Sequence, residues 1–165
     1  MSVRNMTRCA LFAALLTVCA WISVPVGELA ISLQTFGVLL TLGMLGGKRG
    51  GAAILVYLAL GAIGLPVFTG FRGGVGILLG PTGGYLWGFL ASALLYWLLE
   101  RKLPQWASFA LCIAACYACG TAWYYFAFGG DFWAVAAMCV APYLLPDGIK
   151  LGLALLLSRK LKNYA

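Results

Sequence analysis

Residues 64–85 read GLPVFTGFRGGVGILLGPTGGY, a segment that is too apolar for an exposed loop and too rich in glycine for a helix. Its only charged residue is Arg72. Because glycine has no Cβ atom, such a segment can take unusual backbone conformations and bring main-chain N–H and C=O groups close to another surface. We therefore predict that residues 64–85 form a folded lid over a buried site.

The composition of the whole chain indicates an integral membrane protein. Of its 165 residues, 64% are hydrophobic and 9% are charged, and the mean hydropathy is +0.99. That leaves too little polar surface to cover a water-soluble globule of this size. A membrane-spanning helix needs about 20 apolar residues. The length therefore fits one compact bundle, a single integral membrane domain over residues 1–165.

The apolar runs predict six transmembrane helices. Glycine, proline or paired basic residues separate these runs, which cover 6–25, 31–47, 51–63, 84–99, 106–128 and 132–161. Pro142 and Pro146 interrupt the last run, so we expect a short or re-entrant helix at about 132–143 and a final helix that starts near Pro146. The predicted fold is an all-α membrane protein, a six-helix bundle with an ordered glycine-rich loop between helices three and four.

Nine of the eleven basic residues fall between or beside the predicted helices on one side of the membrane. These nine are Arg4, Arg8, Lys48, Arg49, Arg101, Lys102, Arg159, Lys160 and Lys162. By the positive-inside rule this side faces the cytoplasm, which places both termini inside and the lid outside. The net charge of +7 then reflects topology and contact with the anionic lipid bilayer. Nucleic-acid binding is not expected.

The other two basic residues are Arg72, on the outer side, and Lys150, within the membrane. A lysine near the bilayer centre costs about 2.5–3.5 kcal/mol on insertion scales, so it should face a partner or a polar cavity. Asp147 is three residues away and would share a helix face with it. The pair can be a ligand site, a packing ion pair, or a lysine beside an Asp147 that caps the helix N-terminus. The cost of burying charge favours the ligand site.

Other motifs give weaker signals. Cys116 and Cys119 form a CxxC, but without histidine or a second CxxC no metal site is expected. Residues 43–49, GMLGGKR, lack the spacing and the Ser/Thr of a phosphate-binding loop. No nucleophile and base pattern supports an enzyme. In the first helix Ala10, Ala13 and Ala14 form a smooth strip that suits either a partner helix or packing within the bundle.

These motifs together resemble the BioY family, the biotin-binding S components of energy-coupling factor (ECF) vitamin transporters. The resemblance rests on GLPVF at 64–68, GPTGGY at 80–85, the Ala-x-x-x-Ala of the first helix and the Pro-x-x-x-Pro-Asp-x-x-Lys end. It implies the six-helix ECF S-component fold, with biotin in an outward-facing pocket closed by the loop between helices three and four. One departure is that Pro146 directly precedes Asp147, where the family commonly has a glycine between them.

The resemblance also implies which residues act. Asp147 and Lys150 would contact biotin, while Ala10 and Ala14 would lie on the face that docks the transmembrane coupling subunit. Asp147 can accept from the ureido N–H groups, and Lys150 can donate to the ureido oxygen or pair with the carboxylate, for which Arg72 is a second candidate. Further candidates are the lid residues and three polar or aromatic side chains on the helices: Gly73, Gly74, Gly80, Pro81, Thr82, Gly83, Gly84, Tyr85, Gln34, Tyr117 and Trp123. The aromatic ones can equally be packing residues or interfacial anchors.

The expected function is biotin uptake across the cell membrane, with capture on the outer side and release inside through movement relative to a partner. No cofactor is expected, since biotin would be the transported ligand. Because the chain has no ATPase motif, active transport would need an ECF transmembrane coupling subunit and two ATPase subunits. Two alternatives stay open: an S component for another vitamin such as thiamine or riboflavin, and a membrane scaffold protein in which Asp147 and Lys150 only pack.

Overall fold

The computed structural model describes residues 3–26 and 29–162, which form a helical bundle with one small β-hairpin. The ends of the predicted 1–165 domain lie outside the described residues. In chain order the elements are α1 (Val3–Trp21), β1 (Ser23–Val26), β2 (Leu29–Ser32), α2 (Gln34–Ala62), α3 (Val75–Leu78), α4 (Gly83–Leu99), α5 (Gln105–Phe128) and α6 (Phe132–Lys162).

Helix α2 is a helical hairpin that reverses at Gly46. This residue has φ 77° and ψ 168°, a conformation that glycine adopts without a Cβ clash. In a straight helix the 23 residues from Gln34 to Tyr57 would span about 35 Å. Instead, Gln34 Nε2 lies 2.6 Å from the Tyr57 hydroxyl oxygen. The two limbs, 34–45 and 47–62, correspond to the predicted segments 31–47 and 51–63.

The turn between the two limbs is packed tightly against the end of α4. A Cβ atom at Gly47 would overlap the main chain of Trp97. The Gly47 N–H donates a 2.8 Å hydrogen bond to Glu100 Oε2, and the Lys48 ammonium lies 5.0 Å from the centre of the Trp97 ring. Glu100 thereby satisfies a main-chain donor at the start of the second limb.

Two further contacts bring the basic helix ends together. The Cys9 thiol donates to the Arg49 carbonyl oxygen at 3.5 Å, which joins the start of α1 to the α2 turn. Gln105 Nε2 donates to Ser158 Oγ at 2.9 Å, which joins the start of α5 to the end of α6. Together with the Gly47–Glu100 contact, these two hydrogen bonds join the helix ends that carry the paired basic residues at one end of the bundle.

The opposite end carries the hairpin and the lid. Strands β1 and β2 pair antiparallel, with Ser23 opposite Ser32. The all-α prediction does not include this hairpin, because the first apolar run, 6–25, extends through Pro25 and the next run, 31–47, begins within β2. Strands of four residues give too short a period-two pattern to stand out between long apolar helices.

The predicted break in the last helix is wrong. Helix α6 is one element of 31 residues, with Pro142 and Pro146 inside it. Each proline removes a single backbone donor, a loss that neighbouring helices can accommodate in a membrane bundle. As a consequence Asp147 lies in the helix interior and is not an N-cap residue.

Within the described residues, four helices are long and apolar enough to cross a membrane. They are Val3–Trp21, Gln34–Ala62, Gln105–Phe128 and Phe132–Leu161. The 17-residue α4 is a shorter apolar helix that packs against α2 and α5, and its Ser92 donates to the Cys112 carbonyl oxygen at 2.8 Å.

The contact at Gly47 gives a stability prediction. Gly47→Ala should lower the melting temperature of the detergent-solubilised protein by several degrees, because the added methyl group meets main-chain atoms of Trp97 and such overpacking costs about 1–3 kcal/mol. Gly152→Ala in α6 is the matched control, since nothing lies within 4 Å of its Cβ position. Equal melting temperatures for the two variants would contradict tight packing at this turn.

Candidate functional site

A cavity of about 510 Å³ lies between the hairpin, the lid and helices α2, α4, α5 and α6. Its volume is in the usual range for small-molecule pockets, about 300–1,000 Å³. The wall is mostly apolar, with polar groups in two places. One group lies on α5 and α6, and the other lies where the hairpin, α2 and the lid meet.

The first polar group is centred on Asp147. Lys150 Nζ lies 2.7 Å from Asp147 Oδ1, and the Tyr117 hydroxyl donates to Asp147 Oδ2 at 2.7 Å. Asp147 is 2% exposed and Lys150 is 5% exposed. Helical spacing puts the two charged residues on one face of α6, and Tyr117 approaches from α5. The cavity wall therefore presents a hydrogen-bond acceptor, Asp147, beside a donor, Lys150, and the opposite charges of the two groups cancel.

The wall beside this pair is aromatic. The Tyr85 hydroxyl donates to the Cys139 carbonyl oxygen at 2.6 Å, and the Tyr85 and Tyr143 ring centres are 6.0 Å apart. The Tyr85 ring lies directly over Gly120, where a Cβ atom would come within 2.6 Å of it. These contacts fix the ring at the cavity wall, where aromatic carbon offers a surface for an apolar group.

The second polar group is centred on Gln34. Its Oε1 accepts hydrogen bonds from Thr69 Oγ1 at 3.1 Å and from Ser32 Oγ at 3.2 Å. Its Nε2 donates to the Tyr57 hydroxyl, which itself donates to the Val67 carbonyl oxygen at 3.2 Å. Gln34 thus joins the hairpin, the lid and both limbs of α2.

The predicted lid, residues 64–85, contacts the end of α1. Trp21 stacks on Phe71 with ring centres 4.8 Å apart, and Trp21 Nε1 donates to the Pro66 carbonyl oxygen at 2.8 Å. Phe71 has φ 57°, a conformation that costs energy for a residue other than glycine. The Phe68 N–H donates to the Arg72 carbonyl oxygen at 2.9 Å and closes the loop around this residue.

Comparison with known proteins shows the family of the chain. The model of the BioY family matches residues 1–165, the whole chain. The chain belongs to the BioY family.

Two curated relatives align over nearly their full lengths. The biotin transporter BioY of Thermotoga maritima is 38% identical, with 98% of this chain and 97% of the relative covered. The probable biotin transporter BioY of Pyrococcus horikoshii is 36% identical, with 99% of both covered. The crystal structure of the S-component for biotin from an ECF-type ABC transporter has a TM-score of 0.87 at 26% identity, covering 98% of this chain and 92% of that chain.

Half of the fourteen predicted ligand-site residues line the cavity of this BioY family chain. Those that line it are Gln34, Arg72, Thr82, Tyr85, Tyr117, Asp147 and Lys150. Those outside its lining are Gly73, Gly74, Gly80, Pro81, Gly83, Gly84 and Trp123. Arg72 is exposed at the cavity wall, and the described part of the chain shows no ion pair to it.

Several of the residues outside the lining hold the lid in place. Trp123 Nε1 donates to the Gly80 carbonyl oxygen at 3.1 Å, and the Gly74 N–H donates to the Gly61 carbonyl oxygen at 2.6 Å. A Cβ atom at Gly83 would overlap the Leu78 carbonyl oxygen. The glycines therefore permit close main-chain packing within the lid and against the helices.

Several residues that line the cavity lie outside the set predicted from the sequence. Ser32 and Thr69 belong to the Gln34 group, while Tyr143 lies four residues before Asp147 on the same helix face. The helical spacing from Asp147 could have identified Tyr143. The other two had no such signal, since their position depends on how the hairpin and the lid fold together.

The predicted alanine strip divides between the surface and the core. Ala10 and Ala14 are exposed and line a shallow groove of about 340 Å³ between α1 and the second limb of α2. Ala13 also borders this groove, but it is buried in the hydrophobic core. Trp21 lines both the groove and the ligand cavity.

The buried pair gives a second stability prediction. Asp147→Leu leaves the Lys150 ammonium buried without its carboxylate, which should destabilise the folded protein by about 3–5 kcal/mol. The double variant with Lys150→Met removes both charges and should regain most of that loss. Thermal unfolding in detergent measures both variants. If the double variant is no more stable than Asp147→Leu, the two residues are not coupled as an ion pair.

Proposed function

We propose that this protein is the substrate-binding S component of an ECF transporter, which captures biotin on the outer side of the cell membrane and delivers it to the cytoplasm. The observation that carries the proposal is the adjacent acceptor and donor, Asp147 and Lys150, buried at the wall of a mostly apolar cavity that residues of the 64–85 segment also line. The full-length match to the BioY family and the relatives named as biotin transporters support biotin as the ligand. The protein acts as a transport subunit and not as an enzyme.

The Asp147–Lys150 pair suits the ureido group of biotin better than its carboxylate. A ureido group is neutral and carries N–H donors for Asp147 beside an oxygen that accepts from Lys150. A carboxylate in this place would bring a second negative charge next to Asp147, and two close carboxylates repel each other. We therefore place the ureido ring against α6, with the apolar bicycle beside Tyr85 and Tyr143.

The biotin carboxylate then points to the lid, toward Arg72. Arg72 borders the cavity and is exposed, and no described acidic residue pairs with it. Arginine remains charged at all physiological pH values and presents a planar set of donors that matches a carboxylate. This orientation uses both polar ends of the ligand.

The proposed topology has six membrane crossings. They are α1, the two limbs of α2, α4, α5 and α6. The limb 34–45 is short for a span and crosses together with the β-hairpin that precedes it, since neighbouring elements can help a short segment to span. The basic end faces the cytoplasm with both termini, and the lid faces outward.

A coupling subunit of the ECF module would dock on the groove of Ala10 and Ala14. Both side chains are small and exposed, so another helix could approach the α1 backbone closely. Two ATPase subunits, bound through the coupling subunit, would supply the energy that drives biotin release. The chain itself carries no ATPase motif.

Biotin titration of the purified protein tests the ligand and its orientation. The wild type should bind with a dissociation constant below about 1 μM. Asp147→Asn and Lys150→Ala should each weaken binding by roughly 10- to 100-fold, because each removes a hydrogen bond that involves a charged group. Arg72→Ala should weaken binding of biotin but not of biotinamide, which has no carboxylate.

Arg101→Ala at the basic end is the matched control for charge, and its affinity should equal that of the wild type. Excess thiamine or riboflavin should not displace biotin. A wild type that binds no tighter than about 1 μM would refute the proposal. If Arg72→Ala affects biotin and biotinamide equally, the carboxylate is not at Arg72.

Copurification tests the docking groove. Ala14→Trp should abolish copurification with the coupling subunit while biotin affinity stays unchanged, because the indole fills the groove without reaching the cavity. Ala114→Trp on α5 is the control, since Ala114 is also an exposed alanine within a long apolar helix. If the Ala14→Trp variant still copurifies with the coupling subunit, the subunit does not dock at the groove of Ala10 and Ala14.

A further inference from the structure

Tyr57 lies outside the cavity lining, yet it contacts the lid in two ways. It is 0% exposed, on the second limb of α2. Its hydroxyl donates to the Val67 carbonyl oxygen at 3.2 Å, and its ring packs edge-on against Phe68 with centres 5.5 Å apart. The Phe68 ring in turn lies against Gly61, where any Cβ atom would overlap it. This buried tyrosine therefore holds two consecutive residues of the lid.

The same hydroxyl determines which atoms donate and which accept in a chain of hydrogen bonds that runs from Tyr57 to Gln34 at the cavity wall. A carbonyl oxygen can only accept, so the single proton of the Tyr57 hydroxyl is used on Val67. Tyr57 must then accept from Gln34 Nε2, which lies 2.6 Å away. That contact turns the Gln34 carbonyl oxygen toward the hydroxyls of Ser32 and Thr69.

We propose that Tyr57 is a positioning residue for ligand retention: from outside the cavity it orients the Gln34 amide and thereby latches the lid to the β-hairpin. The link runs from Tyr57 through Gln34 Oε1 to Thr69 on the lid and to Ser32 on the hairpin. Without the Tyr57 hydroxyl the Gln34 amide has no fixed orientation, and the Val67 carbonyl loses its donor. The lid should then open more often, and a bound ligand should leave faster.

The experiment measures the rate of biotin dissociation from the Tyr57→Phe variant. The choice of biotin as ligand rests on the proposed function. We expect dissociation about tenfold faster than from the wild type, the effect of losing about one net hydrogen bond. Tyr96→Phe is the matched control, because Tyr96 is a buried tyrosine that packs on Phe109 in the core. Its dissociation rate should stay within twofold of the wild type.

Two double variants separate positioning from a general loss of stability. In a Gln34→Leu background, Tyr57→Phe should cause no further acceleration, because Tyr57 acts through Gln34. In a Tyr117→Phe background the two effects should multiply, since Tyr117 contacts Asp147 and shares no bond with the Gln34 group. Two results would overturn the proposal. One is that Tyr57→Phe accelerates biotin dissociation as much in the Gln34→Leu background as in the wild type. The other is that Tyr57→Phe and Tyr96→Phe accelerate dissociation equally.

A readout without ligand separates this proposal from the biotin assignment. Amide hydrogen exchange of residues 64–74 should become faster in Tyr57→Phe, while exchange in α5 stays unchanged. Thr69→Val, which removes the same link from the lid side, should show the same local change. If the wild type does not bind biotin, the proposed function is refuted. The exchange measurement then still tests whether Tyr57 holds the lid to the β-hairpin through Gln34. Unchanged exchange in both variants would refute the latch.

Discussion

The buried ion pair of Asp147 and Lys150 is the constraint on which the rest of the site depends. Both charged side chains are buried, so each needs the other, and the Tyr117 hydroxyl donates to the second carboxylate oxygen. Breaking such a pair is costly, because the remaining charge stays buried. A ligand that reaches this place must therefore add hydrogen bonds without adding charge. This condition selects for a neutral group with donors beside an acceptor.

The fold brings polar groups from distant parts of the chain to the end opposite the basic cluster. The reversal of α2 at Gly46 returns Tyr57 to the level of Gln34, and the lid crosses over both. At the basic end, main-chain contact between Gly47 and Trp97 leaves no space for a side chain. Both ends thus combine close packing with hydrogen bonds between segments, and the cavity lies at the end that carries the lid.

The sequence predicts those parts of the structure that depend on local spacing. The cost of a membrane lysine and the three-residue spacing predict the pairing of Asp147 with Lys150, and the glycine content predicts that residues 64–85 do not form one regular helix. It does not predict the β-hairpin, whose strands are short, or the continuity of α6 through Pro146, which depends on neighbouring helices. The role of Tyr57 follows only from a contact across the α2 reversal, which no local pattern encodes.

The contacts of the lid and the ion pair on α6 differ in the free energy needed to break them. The later part of the lid is fixed to the helices by the Gly74–Gly61 and Trp123–Gly80 hydrogen bonds. Residues 66–69, next to the cavity, are held by three others: Thr69 to Gln34, Tyr57 to Val67 and Trp21 to Pro66. At about 1 kcal/mol net for each bond, these total roughly 3 kcal/mol, and the left-handed backbone of Phe71 offsets part of that. Separating Asp147 from Lys150 would cost more, because it exposes buried charges to an apolar surrounding. Breaking the hydrogen bonds of residues 66–69 therefore costs less than separating the ion pair, which favours the proposed entry of the ligand from the lid side, over a binding surface that is already formed.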